Sequence, residues 1–146
     1  MPVLNCPIDA GGPLVRIVVA VSGPRRQAMT DAKQSVPQPF LGVALLDTGA
    51  SCTCIDPSVV QHLGLLPTGT ASMVTPSTAG VPHPCNQYDV ALAIIMDPAV
   101  HIASWTIPVF ESQLASQGIH ALIGRDVLAG GLFVFNGRSG MLSLAF

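Results

Sequence analysis

The stretch Leu41-Gly42-Val43-Ala44-Leu45-Leu46-Asp47-Thr48-Gly49-Ala50-Ser51-Cys52-Thr53-Cys54-Ile55-Asp56 decides how the rest of the chain is read. Its first six residues form an apolar run of strand length, which predicts a buried strand. The strand delivers one carboxylate, Asp47, into a Thr48-Gly49-Ala50 turn, and a second run, Thr53-Cys54-Ile55, continues as a strand. A carboxylate at the end of an apolar strand is costly to bury unless it is paired or hydrogen-bonded. Thr48 brings a hydroxyl for the neighbouring backbone, and Gly49 lacks a side chain, so amides and a water can approach the acid. Taken alone, the same residues also fit two strands and a polar turn with Asp47 merely exposed.

A second pattern lies downstream, Ala121-Leu122-Ile123-Gly124-Arg125-Asp126-Val127-Leu128, where apolar residues precede a glycine and a short helical segment follows. Leu45-Leu46-Asp47-Thr48-Gly49-Ala50 followed by Leu122-Ile123-Gly124-Arg125-Asp126 resembles the retropepsin-like aspartic proteases, the retroviral-protease type, over roughly Pro39 to Leu128. The resemblance implies a mainly β, closed, barrel-like fold with a flap hairpin and one or two short helices, active as a two-fold dimer. It implies that Leu122-Ile123-Gly124 threads behind the Asp-Thr-Gly loop, with Ile123, Gly124 and Arg125 structural. By motif alignment, Ala50, Ser51, Cys52 and Cys54 on one side and His120 and Leu122 on the other line the substrate subsites. Viral enzymes often carry an aspartate where this chain has Ser51, so Arg125 needs another partner, and Asp126 is the local candidate. His120 is also read as a half-buried histidine bonded to backbone, the more usual case.

The mechanism implied needs two carboxylates a few ångströms apart around one water. Two like charges that close hold a single proton between them. The ionised acid draws a proton from the water while the protonated one polarises the scissile carbonyl. This chain has one Asp-Thr-Gly, and its other acids lack the strand-then-glycine context. The second carboxylate is therefore expected from a second copy, in a symmetric homodimer. The terminal strand Met141 to Phe146 is expected at the two-fold, as in the resembled family. The rival reading is a dimeric peptide- or protein-binding module that keeps the protease fold without cutting.

Composition agrees. The 146 residues are read as one domain, 1–146, long enough to bury a core. Charged residues make up 10% and mean hydropathy is +0.56, so an apolar surface awaiting a partner is plausible. No apolar run is long enough to cross a membrane, and no signal peptide is read at the N-terminus. A net charge of −2 with six Lys and Arg argues against nucleic acid. Cys6, Cys52, Cys54 and Cys85 show no secreted disulfide spacing, which points to free thiols in a cytoplasmic protein. Cys52 and Cys54 share a strand face and could be joined by Cys85, Cys6, His83 or His101 in a metal site, but zinc ligands are usually spaced more widely, so neither metal nor cofactor is expected.

Along the chain, Leu14 to Val21 reads as a strand and Arg25 to Pro39 as a polar loop. Asp56 and Pro57 start a short helix that Gly64 ends. Ala71 to Thr75 and Gln87 to Met96 form a hairpin in the flap position, whose tip residues Ser77, Thr78, Ala79 and Gly80 are expected over bound peptide. Trp105 to Phe110 is a strand that Pro108 confines to an edge or bulge. Ile119 to Ile123 is a strand, Asp126 to Ala129 a short helix, and the last two strands form a hairpin around Asn136-Gly137-Arg138-Ser139-Gly140.

Overall fold

The apolar runs become strands that close into a barrel. The computed structural model describes residues 1–75, 78–97 and 100–146. In chain order its elements are β1 (Val3–Pro7), β2 (Leu14–Val21), α1 (Gly23–Asp31), β3 (Phe40–Leu46), β4 (Cys54–Ile55), α2 (Pro57–Leu63) and β5 (Gly69–Met73). There follow β6 (His83–Asp97), β7 (Val100–Glu111), β8 (Ala121–Ile123), α3 (Arg125–Leu128), β9 (Leu132–Asn136) and β10 (Met141–Ala145). Six strands pair in the order β2-β3-β8-β4-β7-β6, and β6 returns to β2, so the sheet closes; β5 pairs with the start of β6, on the edge that β2 takes further along. Closure removes the unpaired edges that an open sheet would leave.

Alternation fills the barrel. Val15, Ile17, Val19 and Val21 of β2 point inward, as do Ala44 and Leu46 of β3 and Val90, Leu92 and Ile94 of β6, all nearly inaccessible. Burial of such a side chain is worth roughly 1.5–3 kcal/mol. Helix α2 caps one end with Val59 and Leu63; Asp56 is its N-cap and Gly64 its left-handed C-cap, as the sequence predicts.

Three expectations change. The loop read from Arg25 to Pro39 opens as helix α1, started by the Ser22 hydroxyl on Arg25 N–H and by Pro24 in its first turn. No residue of α1 is buried, so no apolar stripe marks it in the sequence. Strand β7 begins at Val100, earlier than Trp105, because it pairs with β6 along nearly its whole length. Pro108 lies where β7 has β6 on one side and β4, which meets it at Phe110, has not yet begun.

The third change concerns the C-terminal strand. β10 is the middle strand of a separate sheet, β1-β10-β9, so both its edges are used within the chain and it is not free to pair across a two-fold. Leu4, Leu142 and Leu144 face the core from this sheet, and Trp105 meets Phe146 edge-on at 4.8 Å. Register places Val3, Leu132, Val134 and Met141 on its other face, where all four are exposed. Among the described residues, no helix is long and apolar enough to cross a membrane.

Candidate active site

The two sequence motifs meet at the mouth of the barrel. β3 and β8 run parallel, with Leu45 beside Leu122 and Leu46 beside Ile123, and Asp47 N–H extends the ladder to Ile123 O at 2.9 Å. The Asp47 carboxylate is half-buried, and Oδ1 accepts the Gly49 N–H at 2.8 Å. A Cβ at Gly49 would lie 3.0 Å from that oxygen, so a side chain there would press on the Asp47 carboxylate. Thr48 and Gly49 are exposed, and Ala50 N–H closes the turn on Asp47 O at 3.3 Å.

Arg125 holds this turn by its backbone. Its guanidinium donates to Thr48 O at 2.8 Å and Gly49 O at 3.0 Å, and its own N–H donates to Ala50 O at 2.9 Å. Among the described residues Asp126 is not its partner, correcting that expectation. The Asp126 carboxylate instead takes the Thr53 N–H and hydroxyl, each at 2.8 Å. The fully buried Thr53 hydroxyl accepts the Gly124 N–H at 3.2 Å. Gly124 passes so close behind the loop that an added Cβ would meet the Cys52 carbonyl at 2.7 Å. Adjacent residues on α3 thus grip the loop at both ends, Arg125 through carbonyls and Asp126 through Thr53.

Nine residues after Asp47, Asp56 is used differently. It is 3% exposed, accepts Ser58 N–H at 2.9 Å, and receives Leu114 and Ala115 N–H at 2.9 and 2.8 Å. Burial pushes its carboxyl up, but the hydrogen bonds from Ser58, Leu114 and Ala115 outweigh it and bring it down to about 2.

An apolar floor flanks Asp47. Leu45, two residues before it on the same side of β3, packs with Leu14, Met73, Phe110 and Leu122, all half-buried, against buried Cys54, Leu114 and Ile119. Leu122 and Cys54 were expected near the site, whereas Leu14, Met73 and Phe110 were not. Leu45 was legible from strand alternation, but Phe110 arrives only through the parallel pairing of Cys54 with Phe110. Burial, with lesser contributions from the charges of Cys52, Cys85 and Asp126, pushes the Cys54 thiol up to about 12. It stays a protonated thiol and a poor nucleophile at neutral pH. Cys52 is half-buried, 3.8 Å by its Sγ from the Oγ of exposed Ser51.

His120 is tied to backbone. Its Nδ1 accepts the Val43 N–H at 3.2 Å and its ring meets Phe40 edge-on at 5.1 Å. In the β5–β6 hairpin, Thr78 caps a tight turn through its hydroxyl to Thr75 O at 2.8 Å, while Ala79 and Gly80 adopt positive φ. Ser77 lies outside the described residues. Among the described residues, no three His, Cys, Asp or Glu side chains converge to hold a metal ion.

The profile of the aspartyl protease family matches residues 38–127, from just before β3 through most of α3. The chain belongs to the aspartyl protease family. The chain is similar in structure to a retropepsin-like aspartic protease from Rickettsia conorii, with a TM-score of 0.52 and 14% identity over 97% of this chain and 89% of that one. At that identity the likeness establishes the retropepsin-like fold. A search of curated proteins gives no match. The family match spans both the Asp47 turn and the Gly124-Arg125-Asp126 segment bonded to it.

Proposed function

We propose that this protein is an aspartic endopeptidase in which Asp47 and the same residue of a second copy activate one water across a homodimer. The observation that carries the reading is the Asp47 turn itself. It presents a half-buried carboxylate, bonded by Gly49 N–H on one oxygen, beside an apolar floor. Arg125 and Asp126 fix that turn from behind, so the acid is held in place without its carboxylate being consumed.

One protomer supplies one such acid, and the partner supplies the other. The exposed apolar face of Val3, Leu132, Val134 and Met141, on the sheet that follows α3, supports a second copy as its occupant. In the dimer the two carboxylates share a proton and titrate as a pair. One draws the proton from water and the other polarises the substrate carbonyl. Polypeptide would lie extended over Leu45, Cys54, Phe110 and Leu122, with Ala50, Ser51 and Cys52 beside it. The β5–β6 hairpin would act as the flap, with Ser77, Thr78, Ala79 and Gly80 at its tip. Residues 1–146 serve as one domain, and four free thiols support a reducing, cytoplasmic setting.

The test is cleavage of a mixed peptide library from acid to neutral pH by the wild type and by Asp47→Asn. Fragments from the wild type alone support the reading. Fragments from both indicate another catalytic group, and silence from both, with a dimer in sedimentation, indicates a binding module.

A further inference from the structure

We propose that Met73, His83 and Cys85 form a binding site for one soft monovalent metal ion, of the Cu(I) class, at the neck of the β5–β6 hairpin. Register sets Met73 opposite His83 and Ala71 opposite Cys85, and residues two apart on a strand share a face. The thioether, imidazole and thiol therefore stand on one side of the hairpin. Cys85 Sγ lies 3.2 Å from His83 Nε2. Bonds of about 2.0 Å to nitrogen and about 2.3 Å to sulfur span that gap at slightly more than a right angle, so one ion can touch both atoms. All three side chains, with Asn86 and Glu111, line a cavity of about 380 Å³, which gives an ion a way in.

The donor set selects the ion. Thiolate and thioether sulfur favour Cu(I) over harder cations, and imidazole is compatible with it. Without a third His, Cys, Asp or Glu converging among the described residues, the site lacks the ligands for structural zinc. Binding breaks the Cys85 S–H bond and forms a sulfur–metal bond; the proton leaves to water and no electron is transferred. Met73 and His83 are the last paired residues before the hairpin tip, so the ion joins β5 to β6 directly below it. An effect on peptide cleavage rests on the endopeptidase reading, but binding of the ion does not.

The test titrates Ag(I), a redox-inert ion of the same class, into the reduced full chain carrying Cys6→Ser and Cys52→Ser. Native mass spectrometry and calorimetry against a competing chelator read the first equivalent. One ion per chain is expected, with the His83 imidazole resonances shifted by it. His83→Gln, at an exposed position, and Cys85→Ser should each weaken that ion by about tenfold or more, and Met73→Leu should weaken it less. Unchanged affinity in both His83→Gln and Cys85→Ser, or a first ion that leaves His83 undisturbed, overturns the proposal. Peptide cleavage is read separately, on the wild-type chain without added ion: its absence counts against the endopeptidase and leaves the ion site standing, and cleavage by a protein that binds no ion does the reverse.

Discussion

The turn around Asp47 and the turn around Asp56 lie nine residues apart, both start at the end of an apolar strand, and they use their carboxylates in opposite ways. Asp56 is buried, and its two oxygens accept three backbone N–H groups that join α2 to the 114–115 segment. Asp126 is spent likewise, on Thr53 and on Val127 N–H. Among the described residues, the Asp47 carboxylate accepts only the Gly49 N–H. The difference teaches that this fold ties Asp56 and Asp126 in place with three hydrogen bonds each and holds Asp47, the acid proposed to act on the water, by the backbone around it. An acid whose hydrogen-bonding capacity is filled has none left for a water.

The contrast breaks first, and hardest, at Asp47. Asp47→Asn should lower peptide cleavage by roughly a thousandfold or more while its urea midpoint stays near that of the wild type. A comparable loss of folded protein would mean that Asp47 is architectural after all. Next, Gly124→Ala should destabilise by about 3 kcal/mol, because its Cβ would strike the Cys52 backbone rather than a side chain that can turn away. Urea unfolding measures this directly.

Asp126→Ala should cost about 2–3 kcal/mol in the same assay, since the Thr53 N–H is left buried and unpaired. Asp56 gives a smaller effect with a pH signature. Its folded carboxyl sits near 2, below the ordinary 3.8, so its contribution is fully present above about pH 4 and is lost as pH falls toward 2. It amounts to about 2 kcal/mol, and Asp56→Asn should flatten that part of the stability profile recorded by acid titration of the urea midpoint.

Much of this was legible because it is local. Asp56, Pro57 and Gly64 announce α2 from their own side-chain chemistry, and the run Leu14 to Val21 announces β2 by its composition. The pairing of the two motifs was legible through the family resemblance rather than through any local rule. What stayed hidden is non-local or unmarked. Helix α1 buries no side chain and so carries no periodic stripe, and β1 makes sense only beside β10, more than a hundred residues away. The partners of Arg125 are carbonyl oxygens, which no sequence pattern displays. Met73 and Phe110 join the floor through strand register alone.

The central claim is that each active unit uses two copies of Asp47, and co-refolded mixtures of wild-type and Asp47→Asn chains test it most directly. Peptide cleavage measured against the wild-type fraction should follow the square of that fraction, since a mixed dimer carries one competent acid. A straight line through the same points would mean that each chain works alone, and would contradict the shared site.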